Sequence, residues 1–114
     1  MPTTDQSPKT VRSVYADDAD MGEILSLFAR SLPARLETLQ RLWSELRLDE
    51  LGAAVRQLGR EGTGCGYSTL GAAAERFQQK LAELNHGEAR NEQDVGEVRR
   101  RFQELIDVCG RVVV

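Results

Sequence analysis

Aromatic residues are scarce: three Phe, two Tyr and one Trp make up 5% of the 114 residues. A core this poor in rings has to be built from Leu, Val and Ala, a set that favours helices over a sheet. Lysine is rarer still, because 13 of the 15 cations are Arg, so the basic groups are flat bidentate donors rather than point charges. The 18 acids outnumber those cations to give a net charge of −3, which lends no electrostatic support to nucleic-acid or anionic-membrane binding. No apolar run approaches the roughly 20 residues that a membrane span needs. Histidine occurs once, as His86, and neither it nor the two cysteines has a companion at metal-ligand spacing. Cys65 and Cys109 follow no secretory signal pattern, so two reduced thiols in a cytoplasmic protein are expected, with no cofactor.

What is present is helical periodicity. Residues 1–15 are polar, hold two prolines and show no apolar period, and so read as a flexible leader before a domain spanning 16–114. Val11, Val14 and Tyr15 are the leader residues able to pack on the body. Met21, Ile24, Leu25 and Phe28 follow at helical spacing, with Asp17, Asp18 and Asp20 where a helix N-terminus favours negative charge. Pro33 is expected to break that helix, since a residue before proline is disfavoured in the α region. A second helix then carries the stripe Leu32, Leu36, Leu39, Leu42, Trp43 and Leu46.

Asp49 is the expected N-cap of a third helix with Leu51, Ala54, Val55 and Leu58 on its apolar face. Gly59, Gly62, Gly64 and Gly66 then fall close together, and propensity alone would end the helix near Gly59. Ser68 or Thr69 can cap a fourth helix bearing Leu70, Ala73, Ala74, Phe77, Leu81 and Leu84. Gly87 gives it a stop, and Asn91 can cap a last helix with Val95, Val98, Phe102, Leu105, Ile106 and Cys109 inward. Helices are thus expected near 20–30, 33–47, 49–62, 68–85 and 91–110. Only the terminal Val112–Val114 has strand character. Short connections make neighbours antiparallel, so the expected fold is all-α: an up-and-down antiparallel four-helix bundle with a short extra N-terminal helix.

The stretch from Ala54 to Tyr67, AVRQLGREGTGCGY, resembles the signature of histidine-containing phosphotransfer (HPt) domains, which typically reads His-x-Leu-Lys-Gly followed by small residues. Gln57, Leu58, Gly62, Gly64, Gly66 and Leu70 fall in register with it. The segments DMGEILSLF at 20–28 and LPARL at 32–36 are similar to the family's opening helices, so the resemblance covers roughly residues 15–110. It implies a four-helix bundle that relays phosphoryl groups to a receiver domain.

The centre of the motif departs from that pattern. Arg56 stands where the resemblance places the phosphoacceptor histidine, Gly59 where it places lysine, and Arg60 where it places glycine. Imidazole nitrogen is an available nucleophile near neutral pH, whereas guanidinium stays protonated and has no free lone pair. No catalytic residue is therefore assigned. His86, in a turn between helices, lacks the helical setting of an acceptor and reads as a polar loop residue. Cys65, near Arg60 in sequence, reads as a small buried filler rather than a redox switch, although a cation beside it would lower its pKa. Arg99-Arg100-Arg101 reads as a solvated, salt-bridged face, and Trp43 as core with an exposed edge.

The expected function is a non-catalytic, HPt-like binding module of a two-component or phosphorelay pathway. A receiver domain of a response regulator, or a histidine kinase, would bind around Arg56, Gln57, Gly59, Arg60, Gly62 and Gly64. A structural or self-associating helical module without a receiver partner is the alternative. An active phosphotransfer protein using another group finds only His86 to support it.

Overall fold

A computed structural model of the chain describes residues 10–86 and 92–114. Its elements are β1 (Val11–Arg12), a 3-10 turn (Ala19–Met21), α1 (Gly22–Ser44), α2 (Leu48–Gly64), α3 (Ser68–His86), α4 (Glu92–Gly110) and β2 (Val112–Val113). The four helices form an all-α bundle in which α2 packs on α1 and α3, and α4 on α3 and more lightly on α1. From Gly62–Leu70 through Gly59–Ala74 to Gly52–Leu81, contacts move down α2 as they move up α3, so these two helices are antiparallel.

The expected break at Pro33 does not occur. Leu25, Phe28 and Leu32 before the proline and Leu39 and Leu42 after it are buried on one stripe, and a break would lose that phase. Pro33 removes one intrahelical hydrogen bond on an exposed face, where water can solvate the freed carbonyl. The separate N-terminal helix therefore merges with the next into one helix of 23 residues.

Two helix ends share one device. Arg47 N–H donates to Leu42 O (2.9 Å) after α1, and Tyr67 N–H donates to Gly62 O (2.8 Å) after α2. Each closes a Schellman turn whose preceding residue is left-handed: Leu46 at φ 57° and Gly66 at φ 84°. This exit starts α2 at Leu48 with no side-chain cap, so Asp49 lies in the first turn rather than at the N-cap. Likewise α3 begins at Ser68 itself, and Tyr67 O accepts its first bond, from Gly71 N–H (3.1 Å). Glycine is at home at such a position, whereas an L side chain costs roughly 1–2 kcal/mol there. Leu46 is 74% exposed and contributes little packing. Leu46→Gly is therefore expected to raise stability by about 0.5–1 kcal/mol, once the greater freedom of glycine in the unfolded chain is subtracted. A rise in the urea midpoint at constant slope is the measurement.

Residues 1–9 of the expected leader lie outside the described residues, but 10–15 belong to the body. β1 pairs in parallel with β2, Val11 opposite Val112, and Val11 is buried. Ser13 Oγ donates to Cys65 O, and Val14 N–H donates to Gly66 O (3.0 Å). Tyr67, fully buried, reaches from the same turn to donate its hydroxyl to Val113 O (2.8 Å). The strand character of Val112–Val114 is thus realised as a clasp joining the two ends of the chain. Five of the six rings fall into two groups: Phe28 stacks on Tyr67 (5.6 Å), while Trp43, Phe77 and Phe102 cluster separately.

Candidate functional site

The solvent face of α2 is the candidate site. Leu51, Val55 and Leu58 are buried beneath it, which turns Arg56 and Arg60, one helical turn apart, outward. Both line one groove of about 550 Å³ between α2 and α3, floored by Gly59, Gly71 and Ala74 and rimmed by Thr63, Gly64, Glu75 and Gln78. Arg56 and Gln78 continue into an adjoining groove with Gly52, Ala53 and Leu81. Among the described residues neither guanidinium forms an ion pair, whereas Arg35, Arg47, Arg76, Arg100, Arg101 and Arg111 do. The groove offers the exposed positive charge of Arg56 and Arg60, and its other polar side chains are those of Thr63, Glu75 and Gln78.

The other expected site residues divide. Gln57 is exposed but belongs to a second groove, between α1 and α2, with Ala34, Arg35, Thr38, Leu39, Ala54 and Leu58. Gly64 is exposed, with open space around its α-carbon. Gly59 is half-buried, and a Cβ placed on it would meet Ala74 Cβ at 2.9 Å. Gly62 corrects the expectation outright: it is buried, and a Cβ there would meet Leu70 Cδ2 at 2.7 Å, so its surface serves α3 and is closed to a partner. These glycines do not end the helix near Gly59, nor at 62. They let α2 run to Gly64 while lying close against α3. Sequence reasoning missed Thr63, Glu75 and Gln78; the last two lie on the same side of α3 as Gly71 and Ala74, at helical spacing.

Arg35 and Glu61 tie α1 to α2 beside the site, and Arg35 also lies over the Phe28 ring, 5.7 Å from its centroid. The Arg35 hydrogen bond holds the Glu61 carboxyl below its ordinary value, against a smaller desolvation effect, with further help from Gln57. This pair favours the fold above the pKa of an unfolded glutamate, and the contribution disappears as pH falls through the depressed folded value. Glu61→Gln is therefore expected to destabilise the protein at pH 7 and to differ little from the parent at pH 3. Urea titrations of both proteins across that interval check it.

Both cysteines are free and buried. Burial pushes the Cys65 thiol up and Glu61 adds to the shift; Arg35, not Arg60, is the cation that opposes it. Burial pushes the Cys109 thiol up to about 12. His86 is the last residue of α3 rather than a turn residue, eight positions beyond Gln78 and so about 12 Å further along the axis. In the arginine run, Arg100 pairs with Glu97 (2.5 Å) and Arg101 with Glu104 (3.7 Å). Among the described residues no cluster of three His, Cys, Asp or Glu could hold a metal ion, and no helix is long and apolar enough to cross a membrane. No family model, curated protein or solved structure matches this chain.

Proposed function

We propose that the chain is a non-catalytic, HPt-like module of a two-component or phosphorelay pathway, docking a receiver domain or a histidine kinase without carrying phosphate. The observation that carries this reading is the pair Arg56 and Arg60, one helical turn apart on α2, exposed and, among the described residues, without an ion pair. The sequence resemblance places a phosphoacceptor histidine at position 56, and a helical bundle is the architecture that it implies. A receiver's acidic pocket is the complementary surface. Guanidinium groups satisfy its carboxylates with paired N–H donors and, unlike imidazole, accept no phosphoryl group.

Two measurements test the reading. Titration against receiver domains and histidine kinases from the same organism is expected to find a partner that binds most tightly at low salt. Each of Arg56→Ala and Arg60→Ala should then cost about 1–3 kcal/mol where the contact is desolvated. Incubation with a labelled phospho-receiver should leave the protein unlabelled, and Arg56→His alone should recover little transfer, because Gly59 and Arg60 still crowd or fail to support an acceptor. Binding that ignores both arginines would shift the reading to a purely structural module, and label on His86 would reveal an active one.

A further inference from the structure

Away from α2, the outward face of α4 has a reversible pattern. Gly96, Arg99, Gln103, Asp107 and Gly110 recur at spacings of three and four, so they share one side of the helix. The pattern reads the same class of residue in both directions from Gln103, with a charge of opposite sign four residues away on each side and a glycine seven residues away on each side. All five residues are exposed, and a Cβ placed on Gly96 or Gly110 would have nothing within 4 Å. Arg99, Gln103 and Asp107 line a single groove of about 530 Å³ whose apolar part is Trp43, Phe102 and Ile106. It exists because α1 packs only lightly on α4. Among the described residues Arg99 has no ion pair. Asp107 holds Arg111 through one carboxylate oxygen, at 3.1 Å, and its side chain remains 67% exposed.

We infer that this face of α4 docks a second copy of the chain, antiparallel, about a two-fold axis at Gln103. A two-fold interface sets residue i against residue j and j against i, so a face can pair with itself only if its charges are complementary under reversal. Here Arg99 of each copy meets Asp107 of the other, Gln103 meets its own equivalent at the axis, and Gly96 of each copy meets Gly110 of the other at the ends, where no side chain holds the backbones apart. The contact spans 15 residues of helix, about 21 Å. One helix pair of that length buries well under the roughly 1,600 Å² of a standard interface, so the dimer is weak and concentration-dependent. The α2 face stays open in it, because α4 packs on α3 and α1.

Sedimentation velocity over a range of protein concentrations, reaching about 1 mM, tests this with the intact chain. The wild type is expected to shift from monomer to dimer, less readily in about 0.5 M salt. Arg99→Asp sets four carboxylates against one another and Asp107→Arg sets four guanidinium groups together, so each variant alone should weaken association tenfold or more. Mixed in equal amounts, the two variants should dimerise again, because every cross-copy pair in the mixed dimer is then of opposite sign. Both substituted positions are exposed in the single chain, and circular dichroism of each variant checks that the helices are retained. A wild type that stays monomeric overturns the inference, leaving the groove to some other occupant. Dimerisation indifferent to the single changes, or variants that fail to recombine, overturns it equally.

Discussion

Phe77→Ala is expected to lower the free energy of unfolding by about 3–5 kcal/mol, the range for truncating a fully buried aromatic residue. Phe77 has no exposed surface. Its ring lies tilted on Phe102, with centroids 5.6 Å apart, and edge-on to Trp43 at 6.5 Å. Trp43 and Phe102 stack at 4.9 Å, so Phe77 holds one side of a three-ring cluster joining α1, α3 and α4. The neighbouring rings, Trp43 and Phe102, stack on each other, so moving either into the space would break that contact. A domain of this size has a total stability of roughly 5–15 kcal/mol, so the loss is a large share of it. Urea unfolding followed through Trp43 should show a lower midpoint at unchanged slope. Phe77→Leu keeps most of the volume and should cost less than half as much. A loss below about 1 kcal/mol for Phe77→Ala would mean that the three rings do not pack as described.

Much of this fold was legible because helix faces repeat. Leu25, Phe28, Leu39, Leu42, Leu51, Val55, Leu58, Leu70, Phe77, Val98, Phe102 and Leu105 were all placed inward by spacing, and all are buried. Local rules failed where tertiary contacts outweighed them. Pro33 is a helix breaker by propensity, yet burial of leucines on both sides keeps α1 continuous. Asp49 looked like a cap, but the left-handed Leu46 turned the chain earlier, and no propensity scale anticipates leucine there. The β1–β2 clasp pairs segments a hundred residues apart, which no local period records.

The candidate site was half legible for the same reason. Arg56 and Arg60 face outward because the periodicity of Leu51, Val55 and Leu58 fixes the buried face of α2. The α3 side of the groove could not be found from α2 alone, because the register between two helices is set by which side chains are small enough to permit contact. That is where the glycines were misread. By propensity they end the helix near Gly59, and by resemblance they belong to a partner's surface; in the fold Gly52, Gly59, Gly62 and Gly71 mark how closely α2 and α3 lie.

Gly62→Val tests that closeness directly, and about 3 kcal/mol of destabilisation is expected, at the upper end for overpacking a filled core. The first added carbon already sits 2.7 Å from Leu70 Cδ2 and 3.4 Å from Leu70 Cγ. Leu70 is fully buried, so it cannot swing into solvent to make room. Valine brings two further methyl groups into the same space and is stiff at χ1, so the helices must separate or Leu70 must leave its rotamer. Against this stands the gain from removing a helical glycine, at most about 1 kcal/mol. Gly64→Ala isolates that gain: its Cβ would meet nothing within 4 Å, so stability should hold or rise. The pair therefore separates propensity from packing two residues apart on one helix. A double-mutant cycle completes the test. Leu70→Ala should cost about 2–5 kcal/mol in the parent but much less in Gly62→Val, where it also relieves the clash. Additive costs would place Leu70 out of contact with residue 62, and the close approach of α2 and α3 would lose its support.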